Sequence, residues 1–159
     1  GTVMAVGSAA SIGQAMGLPL KDHLVEKAPN GTEQRLTNDQ FYIPGSVLTA
    51  RFDNTLPLAY GMSDKGYIFF DDSPVFNRDP NSPVKASKVA WFDSKKPLYS
   101  GWAVGQENLD GGELATEASI GAGKLVLLGL EATFRATPHG TYKLFFNGLY
   151  YGSATPTTL

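Results

Sequence analysis

The sequence predicts an α/β fold, and features at its two ends carry that prediction. Thr2 to Val6 is an apolar run without alternation, which suits a parallel strand covered on both faces. Gly7-Ser8 and a helix-forming run follow it, giving the strand–turn–helix order of α/β proteins. Near the other end, Lys124 to Leu130 is almost entirely apolar, and an amphipathic helix pattern comes after it.

Taken in order, Ser8 is placed to cap a helix over Ala9 to Met16, with Gly17 as its stop. A helical turn is expected over Leu20 to Lys27. Residues 29–39, PNGTEQRLTND, are polar and turn-rich and read as a surface loop. Residues 46–53 alternate: Leu48, Ala50 and Phe52 share one face, and Thr49, Arg51 and Asp53 the other, as in a half-exposed strand. Gly66 to Phe70 and Ala86 to Phe92 are further strands, separated by a proline-bearing loop over 71–83. Glu113 to Ile120 and Lys124 to Leu130 flank Gly121-Ala122-Gly123, a hairpin in which an edge-like strand leads into a central one. In the last element Tyr142, Phe145, Phe146 and Leu149 fall at i, i+3, i+4 and i+7, the stripe expected to anchor a helix on the sheet. Thr137 as N-cap and Pro138 at the first helical position would put His139 in its first turn. Residues 1–152 then make one α/β domain, and 153–159 a flexible tail.

Composition bounds the function. The chain has 159 residues, 42% of them hydrophobic and 18% charged, values of an ordinary globular domain with a core. A net charge of −2 gives no basic patch for nucleic acid or a membrane surface. No apolar run is long enough for a membrane-spanning helix. The chain begins directly in a strand, without the basic and apolar regions of a signal peptide, as an excised module would. It has no cysteine, so disulfides, thiolate nucleophiles and cysteine–zinc sites are out of reach.

Two histidines are available, His23 and His139. In open α/β sheets ligands bind beyond the carboxyl ends of the strands, where helix N-termini attract anions. Arg135, His139 and Gly140 lie at such a place and are the candidate site for a small anion or a peptide carboxylate. The structural alternative is that Arg135 pairs locally and His139 caps or packs. His23, Glu26 and the distant His139 follow the order of ligands in a zinc carboxypeptidase: two imidazoles, a carboxylate and an open position for water. That H-x-x-E motif arises easily by chance. Gly121 to Lys124 resembles the end of a phosphate-binding loop but lacks its first glycine and its Ser or Thr. Asn30-Gly31-Thr32 is a glycosylation sequon by pattern alone. Trp91, Trp102, Tyr150 and Tyr151 suit either a core or an aromatic binding surface.

Four blocks together carry a resemblance that spans most of the chain. They are GTVMAVGSAASIGQAMGLPLKDHL, FYIPGSVLTARFDNTLPLAYGM, SGWAVGQENLDGGELATEASIGAGKLVLLGL and, most specific, FRATPHGTYKLFFNGLYYG. The chain resembles the C-terminal domain of bacterial secreted zinc carboxypeptidases, a module similar to class I glutamine amidotransferases. The resemblance implies a flavodoxin-like three-layer sandwich with a mixed, mostly parallel sheet, truncated at its N-terminus. It also implies a secreted or periplasmic protein whose zinc is held by an upstream peptidase domain of the same parent chain, with no cofactor in this fragment. His139 falls roughly where that fold brings its catalytic histidine, but the cysteine nucleophile is missing. The expected role is a non-catalytic accessory domain, structural or ligand-binding. The alternatives are a hydrolase in its own right, with a zinc site at His23, Glu26 and His139 or a degenerate amidotransferase centre, and a free-standing module that binds small anions.

Overall fold

The computed structural model describes residues 1–79, 81–82 and 84–154. Among them the strands are β1 (Thr2–Val6), β2 (Leu20–Asp22), β3 (Val25–Lys27), β4 (Glu33–Arg35), β5 (Ser46–Phe52), β6 (Lys65–Phe70), β7 (Phe76–Arg78), β8 (Ala86–Trp91), β9 (Leu98–Ser100), β10 (Glu113–Ile120) and β11 (Gly123–Leu128). The α-helices are α1 (Ile12–Ala15) and α2 (Tyr142–Tyr151). The main sheet runs β1-β11-β10-β8-β5-β6, with β9 beside β5 and β7 joining β10 to β2. β3 and β4 pair separately.

The fold is mixed α/β. β1 lies parallel to β11, with Thr2 opposite Lys124 and Val6 opposite Leu128. The other pairings among the described residues are antiparallel, so the sheet is mixed but not mostly parallel. The connections explain this. A parallel pair needs a crossover of a dozen or more residues, whereas β10 and β11 are joined by a tight turn in which Ile120 opposes Gly123. Gly121 takes φ +56° there, a conformation that other residues rarely adopt.

The apolar run of β11 is covered on both faces, as its pattern predicts. Leu125 and Leu127 pack with Ala5, Ala10, Leu18 and Leu20 on one side. Val126 and Leu128 join a larger core with Leu48, Phe70, Phe92 and Leu144 on the other. β10 lies between β8 and β11, so it is interior and not the expected edge. β5 follows its alternation, with Leu48, Ala50 and Phe52 buried.

Several local expectations are corrected. Ser8 caps no helix; it lies in a 3-10 turn, Gly7–Ser11, and the α-helical part that follows is one turn long. Gly17 does end it, with φ +78°. The segment Leu20 to Lys27 is extended, because Leu20–Asp22 pairs with Phe76–Arg78 across more than fifty residues. A partner so distant in sequence outweighs local propensity. The expected loops at 29–39 and 71–83 each contain a short strand: β7 has the same distant partner, β2, whereas β4 pairs locally with β3.

α2 turns a different face to the core from the one its stripe predicts. Leu144 and Gly148 are buried, while Phe146 and Leu149 are 49% and 55% exposed. Gly148 decides the geometry: Met4 fills the space that a Cβ there would need, so the helix seats closely on β1. Thr137 is not the cap, and His139 is not in the first α-helical turn. It opens a separate 3-10 turn, His139–Thr141, that precedes α2. Of the expected tail, residues 155–159 lie outside the described residues.

Candidate functional site

The site residues named from the sequence sit in the segment between β11 and α2. Two consecutive residues in it, Arg135 and Ala136, have φ of +46° and +57°. This left-handed pair costs backbone energy and folds the segment back on itself. Thr141 holds the fold: its hydroxyl lies 2.7 Å from the carbonyl of Ala132 and 2.9 Å from that of Pro138. His139 is thereby brought over the turn, with Nε2 2.9 Å from the carbonyl of Ala136 and its ring 5.2 Å from that of Tyr142.

His139 and Gly140 line a groove of about 850 Å³. Its opposite wall is β6, the last strand of the main sheet. Lys65, Gly66, Tyr67, Ile68 and Phe69 all line it, together with Gly61, Met62, Pro138 and Lys143. Five consecutive strand residues can border one groove only if it runs along the strand's edge, since successive side chains point to opposite faces. Among the described residues the lining includes two lysines and a histidine and no carboxylate. Lys143 is held in place by donating to the carbonyl of Gly61.

Arg135 does not join His139 in this groove. Its guanidinium lies 5.1 Å from the ring centre of Phe134, which stacks on Phe69 at 4.6 Å. The cluster of Arg135, His139 and Gly140 is therefore split: the histidine and glycine face the groove, and the arginine covers an aromatic pair. The backbone amide of His139 is also engaged, 2.9 Å from the carbonyl of Thr137.

The structure does not assemble His23, Glu26 and His139. His23 Nδ1 is 2.7 Å from Asn77 Oδ1, and Glu26 accepts from Gln34 and Gln40. Among the described residues no three His, Cys, Asp or Glu side chains stand together as metal ligands.

Another acidic position lies beyond the carboxyl end of β11. Burial, and then the charge of Asp71, push the Glu131 carboxyl above its ordinary value. Its side chain fills the space beside Gly7, which is at φ +60°.

Sequence reading did not single out Lys65, Tyr67, Phe69 or Lys143. The period-two pattern of KGYIFF holds the signal: Ile68 and Phe70 are buried, and Lys65 and Tyr67 are exposed. That β6 ends the sheet depends on the order of strands, which no local pattern carries. Comparison of the chain with family models, curated proteins and solved structures found no match.

Proposed function

We propose that this chain is a non-catalytic accessory module of a secreted or periplasmic zinc carboxypeptidase, and that the groove beside β6 is its ligand site. The observation that carries the reading is the state of His139. Its Nε2 is engaged by the Ala136 carbonyl, its ring leans on Tyr142, and the groove supplies cations and backbone but no carboxylate to orient an imidazole. A general base needs such an orienting group and a nucleophile within hydrogen-bond reach. The ligand in this reading is a small anion or a peptide.

At the β1–β11 end of the sheet the α1 segment packs on one face and α2 on the other, which is where the layering of the resembled module is kept. The accessory role draws on the outer face of α2. Phe146, Leu149 and Tyr150 are exposed there. An apolar surface of this kind suits packing against a neighbouring domain, which in this reading is the upstream peptidase.

The test is turnover. The purified chain and a His139→Ala variant are assayed on peptide and amide substrates. No turnover in either is expected. Turnover in the parent that vanishes in the variant would refute the non-catalytic reading.

A further inference from the structure

We infer that the β6 edge binds an extended acidic peptide by strand addition; this rests on the groove being the ligand site. The register of β5 and β6 shows which backbone groups are free. The amide of Phe52 donates to the carbonyl of Asp64 at 2.9 Å, so Phe52 and Asp64 face each other through hydrogen bonds. Bonded pairs alternate along an antiparallel ladder. Ala50 with Gly66 and Leu48 with Ile68 are therefore bonded, whereas Lys65, Tyr67 and Phe69 turn their N–H and C=O groups away from β5. The amide of Glu131 confirms the direction by donating to the carbonyl of Phe69 at 3.3 Å. Beyond that contact, no backbone partner is seen among the described residues for the outward groups of Lys65 and Tyr67.

An open edge pairs with any extended chain, and natural sheets restrict this with charge or cover. Here the edge is covered at Phe69 by the Glu131 amide and is open at Lys65 and Tyr67, and the charge of the groove beside it selects the occupant. Among the described residues Lys65, Lys143 and His139 border it without a carboxylate, in a chain of net charge −2. A second copy of the chain would bring the same lysines face to face. A peptide bearing Asp or Glu would place carboxylates near both ammonium groups, while its backbone continued the ladder at Tyr67. The added strand then borders both faces of the sheet: Ile68 and Met62 on the core side, Tyr67 and Phe69 on the other.

The probe is a fluorescein-labelled peptide of alternating valine and glutamate, with a valine–lysine peptide as its counterpart. Binding is read by anisotropy and by amide NMR. The acidic peptide is expected to shift the amides of Lys65, Tyr67 and Phe69 and slow their hydrogen exchange. It should bind roughly tenfold more tightly than the basic one, as loss of two exposed charge pairs implies. Tyr67→Pro removes an outward amide that β5 does not use, and proline is tolerated at such edge positions. It should weaken binding roughly tenfold, whereas Tyr67→Ala, which keeps the amide, should change it by no more than about threefold. If the proline variant loses its melting transition, exchange protection at Tyr67 in the parent decides in its place. Equal affinity for the two peptides, or a concentration-dependent dimer that uses this edge, overturns the inference. Shifts confined to His139 and Lys143, without protection at Tyr67, overturn strand addition and leave a groove that binds ligand by other means. No binding by either peptide or by inorganic phosphate overturns both readings.

Discussion

The hydroxyl of Thr141 lies 2.7 Å from the carbonyl of Ala132, and both residues are fully buried. This contact closes the segment that carries Arg135, His139 and Gly140, and so fixes one wall of the groove. Thr141→Val keeps the shape and removes the hydroxyl, leaving a buried carbonyl without its partner. The expected cost is about 1–3 kcal/mol, read by urea denaturation, with Thr141→Ser close to the parent. A valine variant as stable as the parent would remove this contact from the list of what holds the segment.

The inner face of α2 rests on Leu144. Leu144→Ala should destabilise by about 2–5 kcal/mol, the range for a large core side chain cut to alanine. Phe146→Ala lies on the solvent side and should stay within about 0.5 kcal/mol. Melting curves of the two variants order them directly. The reverse order would mean that the helix is rotated so that its aromatic stripe faces the sheet.

Glu131 links stability to pH. Burial and Asp71 raise its carboxyl in the folded state above the ordinary value of 4.5, so the folded state holds the proton more tightly than the unfolded chain. Its contribution is complete below that ordinary value and is lost as pH rises through the folded value. Glu131→Gln should therefore be more stable than the parent at pH 7, with the gap closing on acidification toward pH 4. Chemical denaturation at the two pH values measures this. A gap that widens toward acid would mean that the ionised carboxylate is the favoured form.

Much of the main sheet is legible in local pattern. The alternation of SVLTARF, the apolar run of KLVLL and the glycine turn between the last two strands each reflect the immediate surroundings of the residues concerned. The three-residue strands β2, β7 and β9 are not legible in this way. They exist because a distant strand offers hydrogen-bond partners, and KD or NR carries no period. The rotation of α2 is a subtler case. Four large apolar residues make the more conspicuous stripe, but Gly148 permits closer approach, and contact with β1 follows the small residue. At the candidate site, the position of His139 near a strand-to-helix connection was readable. Its neighbours were not, because Lys65 on β6 and Lys143 on α2 come to one groove only through the tertiary arrangement of strand and helix.

The pairing of Thr2 with Lys124 has a kinetic meaning. β11 forms its hairpin with β10 across a turn of two residues, a closure that takes microseconds in isolation. β1 must instead find β11 across 122 positions (124 − 2), and the entropy of closing a loop grows with its length. Until the hairpin stands, the first strand has no template. During synthesis Thr2 to Val6 therefore wait for Lys124 to Leu128 to emerge before they can pair.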